Sequence, residues 1–285
     1  MADLKDLPDD IYQLFDPEVD HEVNEENLEV FAKNICDQVK LRLRKQEEAR
    51  TPLRFSALGK PNRQLWYEAH PVEGGKEPML PKTYLKFMYG AILEEILLLL
   101  AKEAGHEVKD EQREVEVDGV TGHIDAIIDG TVVDVKSASP FGYKKFETDT
   151  VTQDDPFGYV DQLSGYADEL TPGKEAAWLA FDKVAGDICI STLAPVVIRH
   201  HKPAPRIAEL KEVIEKEEPP ERCYEDIPDG KSGNMKLGTG CSYCSHKFRC
   251  WPELRGFAYS NGPRYLTVVK KEPTNSNGPI PEITL

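Results

Sequence analysis

Between Gly122 and Lys136 the chain runs Gly-His-Ile-Asp-Ala-Ile-Ile-Asp-Gly-Thr-Val-Val-Asp-Val-Lys, two β-branched runs joined by Asp129-Gly130. Asp-Gly in that setting marks a two-residue type I′ hairpin turn. With Asp129 and Gly130 as the loop, Ile128 pairs with Thr131, Asp125 stands opposite Asp134, and His123 faces Lys136. Directly opposed residues bring their Cβ atoms to about 4.5 to 5.5 Å on one face, so two carboxylates placed there repel each other. A hard divalent cation removes that penalty, because Mg²⁺ is held by one or two carboxylates together with waters and phosphate oxygens. Alternation puts Lys136 on the Asp134 face, where an ammonium can orient an attacking water or stabilise charge developing on a phosphate. The chemistry open to this set is metal-assisted attack of water on a phosphate ester. A hairpin that merely faced water would be polar along one side. Here Ile127 and Val132 share the acidic face and Ile124, Ala126, Val133 and Val135 line the other. Both faces therefore look buried, and a buried acid pair needs a compensating partner.

Three further groups bear on this chemistry. Glu94 lies in an apolar helical run, and its helical neighbours Gly90, Leu97, Leu98 and Ala101 are small or apolar. An acid among them wants a metal or a base, whereas Glu95, nearer Lys102, suits the solvent side. Gln162 and Tyr166 stand four apart in a helix that Asp155-Pro156 is placed to cap, so they share one face; ordinary packing is the plainer explanation of such a pair. Cys241, Cys244 and Cys250 are separated by two and then five residues, a spacing that suits a metal or an iron–sulfur site. A fourth ligand is then required. Cys223, eighteen residues before Cys241 across a Gly-rich loop, is the first candidate, with Cys36 and His246 behind it. Cys36, beside an apolar helical stripe, and Cys189, within a strand, suit core thiols. Spacing alone is compatible with Zn²⁺ and with a cluster.

Taken together these motifs resemble the PD-(D/E)xK nuclease superfamily. Asp125 followed by Asp134-Val135-Lys136 is similar to its signature. Gly90-Ala-Ile-Leu-Glu94 resembles the helix-borne acid, and Gln162-Leu-Ser-Gly-Tyr166 the Gln-x-x-x-Tyr motif, of its RecB-like and lambda-exonuclease-like branches. The three C-terminal cysteines resemble those of iron–sulfur exonucleases, including the CRISPR-associated and helicase-linked RecB-like enzymes. Residues 53–67 resemble the upstream segment that carries the fourth cysteine in that branch, but Pro61 and Asn62 stand near its place. The resemblance spans about residues 53–255.

What it implies is a restriction-endonuclease-like α/β core, with a mixed central sheet flanked by helices, and a C-terminal cysteine metal-binding region. It implies a DNA exonuclease in which Glu94, Asp125, Asp134 and the Val135 carbonyl hold Mg²⁺ or Mn²⁺ while Lys136 acts on the attacking water. Gln162 and Tyr166 would steady the strand, and Arg54, Ser56, Lys60 and Arg63 would contact backbone phosphates. Cys223, Cys241, Cys244 and Cys250 would hold a [4Fe–4S] cluster, or zinc. It also implies DNA as partner, a single-strand-binding or annealing recombination protein beside it, and a tailed-phage setting in recombination, replication or repair. Two other classes compete. A non-catalytic DNA-binding module on a nuclease fold would lack an Asp or the Lys, and all are present. A redox protein centred on the cysteines would carry a flavin or second-cluster motif, and none is visible.

The elements that must position these residues follow from periodicity. A helix is predicted from 26 to about 48, on Leu28, Phe31, Ala32, Ile35, Val39 and Leu43, with its apolar stripe on the core. A loop with Pro52 and Pro61 follows, then a helix over 83–104 stopped by Gly105, strands, a helix, two strands and a helix from about 204 to 218. That order fits an α/β core. Domains are expected at 26–220 for the core and 221–272 for the cysteine region, with 273–285 a tail. Net charge is −16, which argues against a globally basic nucleic-acid coat, but −10 of it falls in residues 1–30. Residues 1–25 thus read as a solvated acidic arm, with partner binding or shielding of a DNA groove as the alternatives. The densest apolar run, Ile92–Leu100, is too short for a bilayer and is interrupted by Glu94 and Glu95. The start lacks a secretory layout, and the expectation is a soluble, cytoplasmic protein with no membrane partner.

Overall fold

A computed structural model describes residues 2–44, 53–276 and 278–283. In chain order its helices and strands are α1 (Leu7–Gln13), α2 (Glu25–Leu43), α3 (Asn62–Ala69), α4 (Pro81–Glu103), β1 (Val108–Lys109), β2 (Glu114–Val117), β3 (Val120–His123), β4 (Ala126–Ile128), β5 (Thr131–Ala138), α5 (Pro140–Glu147), α6 (Tyr159–Leu170), β6 (Ala176–Asp182), β7 (Ile188–Leu193), α7 (Pro195–His200) and α8 (Pro203–Ile214). The remainder comprises β8 (Ile227–Pro228), β9 (Met235–Lys236), α9 (Thr239–Ser242), α10 (Lys247–Cys250), β10 (Arg255–Tyr259), β11 (Gly262–Val268), β12 (Thr274–Asn275) and β13 (Gly278–Pro279). The chain divides into two compact units, residues 1–59 with 80–209, and residues 60–79 with 210–285.

The first unit is a mixed α/β fold. Its central sheet has the order β1-β4-β5-β6-β7, with β5 and β6 parallel and the other pairs antiparallel. β5 is central because Val132, Val133 and Val135 leave no solvent face, as an inner strand requires. Leu97, Leu98 and Ala101 of α4 pack on Val133, Val135, Ala177 and Leu179, while α5 meets the alternate residues, Phe146 lying edge-on to Trp178 at 5.9 Å. The turn is as the sequence requires: Asp129 and Gly130 take φ 50° and 80°, and Ile128 pairs with Thr131. No helix among the described residues is long and apolar enough to cross a membrane.

The acidic segment departs from expectation. Leu4, Leu7 and Ile11 are buried in the same core as α4, and the Tyr12 hydroxyl accepts from the Ile188 amide at 2.8 Å. His106 stands between Asp10 (3.1 Å) and Asp129 (2.6 Å). Only residues beyond α1 fit the description of a solvated arm; the helical stripe 4, 7, 11 outweighs the local charge. Helix α2 lies on α4 with half-buried contacts rather than a buried stripe, and Cys36 is exposed, not a core thiol. The expected end of that helix near residue 48, like Pro52, lies outside the described residues.

The second unit is a four-stranded antiparallel sheet, β10-β11-β9-β8, with α3 and the cysteine segments. Trp66 and Tyr67 of α3, a helix not expected from the sequence, pack on Val213. Residues after 272 do not trail away. β12 pairs with β13, Ile280 packs on Phe257 and Leu266, and Phe257 bridges to Glu282.

Candidate functional site

The β4–β5 ladder runs from Ile128↔Thr131 to Ala126↔Val133 and stops there. Asp125, one residue further out, falls in a break between β3 and β4, and its Oδ2 accepts a 2.6 Å hydrogen bond from the Val135 amide. Asp134 is 4% exposed. Its Oδ2 lies 2.5 Å from Lys136 Nζ, close enough for an ion pair but without an aligned hydrogen bond. His123 does not face Lys136 as the turn register suggested. β3 pairs with β2 instead, setting His123 opposite Glu114 with 3.6 Å between imidazole and carboxylate.

Glu94 joins this centre through the close approach of α4 to β5: a Cβ on Gly90 would sit 3.6 Å from Ser137 Oγ, and Glu94 follows one turn later. Its Oε1 accepts from Gln112 Nε2 at 2.7 Å. The two neighbouring acids exchange the burial expected of them. Glu95 is the buried one, held by Asn34 Nδ2 at 3.0 Å, Glu94 is half-buried, and Lys102 pairs with Glu111 at 2.6 Å.

The electrostatics follow from this crowding. Burial, then the charges on Asp125, Glu95 and Asp134, pushes Glu94 up to about 9. Burial, then the charge on Asp134, pushes Asp125 up to about 7. Burial alone would lower Lys136, but Asp134 and Asp125 outweigh it and hold the ammonium charged well above its ordinary range. Three carboxylates thus share a field with one ammonium, and one oxygen, Asp134 Oδ2, accepts no hydrogen bond. Oxygen donors of this kind fit a hard divalent cation. Among the described residues no three His, Cys, Asp or Glu side chains converge closely enough to hold a metal ion by themselves.

Gln162 and Tyr166 lie on α6, but that helix starts later than Asp155-Pro156 suggested. Asp155 caps from outside it, accepting from the amides of Gly158 (2.9 Å) and Val160 (2.8 Å). Gly158, at φ 77°, crosses Gly59 so closely that a Cβ on either would come within 2.5 Å of the other's Cα. This crossing sets residues 55–58 against α6, and Phe55 stacks on Tyr166 at 4.9 Å, 3° from parallel. Tyr166 is therefore buried, its hydroxyl raised by burial and then by the charge on Asp134; Gln162 is half-buried. A residue the sequence reading missed is Tyr159, whose ring lies 4.8 Å from Lys136 Nζ. It precedes Gln162 by three on the same helix face, which was the available signal.

The four basic or polar substrate candidates separate. Arg54 Nε donates to Ser56 Oγ at 2.7 Å within the first unit. Lys60 and Arg63 belong to the second unit, where Lys60 pairs with Glu68 at 3.2 Å and Arg63 donates to the Pro220 carbonyl and lies over Tyr67. The bases near the cysteines are committed to protein partners: Lys247 to Glu77, Arg249 to the His70 carbonyl, Arg255 to Glu272 and Glu282, and Lys236 to Asp229.

In the second unit, Cys223, Cys241, Cys244 and Cys250 line one cavity with Arg63, Tyr67 and Trp251. Burial, then the neighbouring cysteines, pushes Cys241 up to about 12; burial also raises Cys223 and Cys244. The four thiols share one cavity, but among the described residues no three His, Cys, Asp or Glu side chains converge closely enough to hold a metal ion. His246 does not line this cavity; it is buried, with Nδ1 3.3 Å from the Gly75 carbonyl. Cys189 sits on β7 hydrogen-bonded to Tyr143.

No family profile matches the sequence, and no curated protein matches it. Among solved structures, the chain is similar to SSO0001 with a TM-score of 0.41 and 18% identity, over 77% of this chain and 94% of that one. It is also similar to the alkaline exonuclease LHK-Exo from Laribacter hongkongensis, with a TM-score of 0.29 and 13% identity, over 56% of this chain and 93% of that one.

Proposed function

We propose that the protein is a divalent-metal-dependent DNA exonuclease whose centre is Asp125, Asp134, Lys136 and Glu94. The observation that carries the reading is the Asp125–Val135–Asp134–Lys136 arrangement: two acids and a lysine gathered where β4 leaves β5, with Glu94 in the same field. Asp125, Asp134, Glu94 and the Val135 carbonyl would hold Mg²⁺ or Mn²⁺, which supplies Lewis acidity and a lowered pKa for bound water. Lys136, kept charged by Asp134 and Asp125, presents its ammonium to water or to a developing phosphate charge. Tyr159 fixes that ammonium from the side through its ring face. Gln162 and Tyr166 line the α6 side, Tyr166 serving mainly to lock the Phe55 segment in place. Arg54 and Ser56, hydrogen-bonded to each other, belong to that segment as phosphate contacts, and Lys60 and Arg63, borne by the second unit, are further candidates for backbone phosphate.

The cysteine cavity supports a second centre, with Cys223 as the fourth ligand in place of an upstream cysteine. The group it would hold is a [4Fe–4S] cluster, which the family resemblance favours, with zinc as the alternative. A role in phage DNA recombination, replication or repair, beside a single-strand-binding or annealing protein, accompanies the family resemblance. The test is release of nucleotides from DNA in Mg²⁺ or EDTA by wild type and by Asp134→Ala. Mg²⁺-dependent release that the folded variant loses supports the reading. Protein that binds DNA and never cuts it would favour the non-catalytic module.

A further inference from the structure

Helices α2 and α4 run antiparallel. Asn27 Nδ2 donates to Glu103 Oε1 at 2.7 Å, and Asn34 Nδ2 donates to Glu95 Oε2 at 3.0 Å. That register runs the C-terminal end of α2, residues 40–44, toward the N-terminal end of α4, residues 82–89. No residue from 81 to 90 is buried. Tyr84, Phe87 and Tyr89 are 56%, 48% and 53% exposed, and Leu41, Leu43 and Leu85 are exposed with them. Between these apolar side chains stand Lys40, Arg42, Arg44, Lys82 and Lys86, and neither 38–44 nor 78–93 contains an acid. In a chain of net charge −16 this is a concentrated positive patch. Lys40 also reaches Asp37 at 3.3 Å, one turn back on α2. On the same helix as Glu94, at about 1.5 Å rise per residue, Tyr89 and Phe87 precede it by roughly 8 and 11 Å along the α4 axis.

Exposed rings interleaved with bases match what an unpaired nucleic-acid strand offers: flat base faces for stacking and phosphates for the cations. A duplex hides its base faces and would leave the rings unused. A second copy of this chain would set five bases against five like charges across a symmetric contact. We propose that this end of the α2–α4 pair is a docking platform for single-stranded DNA, holding the strand beside the Asp125/Asp134 centre. The proposal takes its purpose from the nuclease reading, but binding is measured without catalysis, so the two can fail separately.

The experiment is fluorescence anisotropy of a labelled single-stranded oligodeoxynucleotide in EDTA, with the same sequence as duplex for competition. Wild type is compared with Tyr84→Ala/Phe87→Ala, Lys82→Gln/Lys86→Gln and, as an exposed aromatic elsewhere, Phe15→Ala. All substituted side chains are exposed, and circular dichroism checks folding. The aromatic pair should weaken single-strand binding by about tenfold or more. The lysine pair should weaken it and flatten the dependence of log affinity on log salt by about 1.4. Phe15→Ala should bind like wild type, and duplex should compete poorly. Wild-type affinity in the aromatic variant, equal loss of duplex and single-strand binding, or a dimer that the variant dissociates while DNA affinity stands, would each overturn the proposal.

Discussion

The Val135 amide donates a 2.6 Å hydrogen bond to Asp125 Oδ2, fastening an acid that lies outside the β4–β5 ladder to the strand that bears Asp134 and Lys136. Two carboxylates held together by backbone have few ways to relieve their repulsion, and proton uptake is one. Folding raises Asp125 to about 7 and Glu94 to about 9, so the folded state keeps protons that the unfolded chain has released. Each group's stabilising share is full below its unfolded pKa, near about pH 4, and is lost as pH rises through the folded values. Without metal the protein should melt at progressively lower temperature across that window, and saturating Mn²⁺ should raise Tm more at about pH 9 than at about pH 5 because binding displaces those protons. Thermal melts in EDTA and Mn²⁺ check this; a metal shift independent of pH would contradict it.

Gly122 is the point where β3 meets the Phe55–Tyr166 stack. A Cβ there would lie 2.5 Å from Phe55 Cβ and 2.7 Å from the Tyr166 hydroxyl. Gly122→Ala should cost about 1 to 3 kcal/mol of stability, whereas Tyr166→Phe keeps the stack and should cost no more than about 1.5 kcal/mol. Urea unfolding of the two variants measures both, and an unaffected Gly122→Ala would show that the stack yields freely.

The N-terminal helix is core, not appendage. Leu7→Ala should cost about 2 to 5 kcal/mol, while Phe15→Ala, exposed just beyond α1, should stay within about 0.5 kcal/mol. Calorimetry compares them. Deleting residues 1–25 should accordingly destabilise the first unit.

The cysteine cavity names its own controls. Cys223→Ser and Cys241→Ser should each remove bound metal, with loss of visible absorption if iron and sulfide are present, while Cys36→Ser and Cys189→Ser should leave metal content intact. Elemental and sulfide analysis of anaerobically purified protein provides the reading. Full metal content in Cys223→Ser would remove it from the ligand set.

The two-residue Asp-Gly turn made the register legible as far as Ala126↔Val133, but the pairings counted beyond it, Asp125 with Asp134 and His123 with Lys136, lie outside the ladder, and β2 takes His123 instead. What lay beyond reach was tertiary. Glu94 and Glu95 sit side by side on α4, and Asn34 of α2 decides which is enclosed. The helix face shared with Gln162 marks Tyr159, but that its ring meets Lys136 of β5 is set by the packing of α6 on the sheet. Counting charge over residues 1–30 concealed Leu4, Leu7 and Ile11, a readable stripe. The partners that occupy Lys247 and Arg255, namely Glu77, Glu272 and Glu282, are distant in sequence.

The central claim is tested most directly by hydrolysis of end-labelled linear and closed circular DNA, in Mg²⁺ and in EDTA, with Asp134→Ala alongside. Degradation of linear DNA alone, lost in EDTA and lowered by roughly 100-fold or more in the folded variant, is the result this account predicts. DNA left intact by metal-loaded wild type, or cleaved equally well by Asp134→Ala, would contradict it.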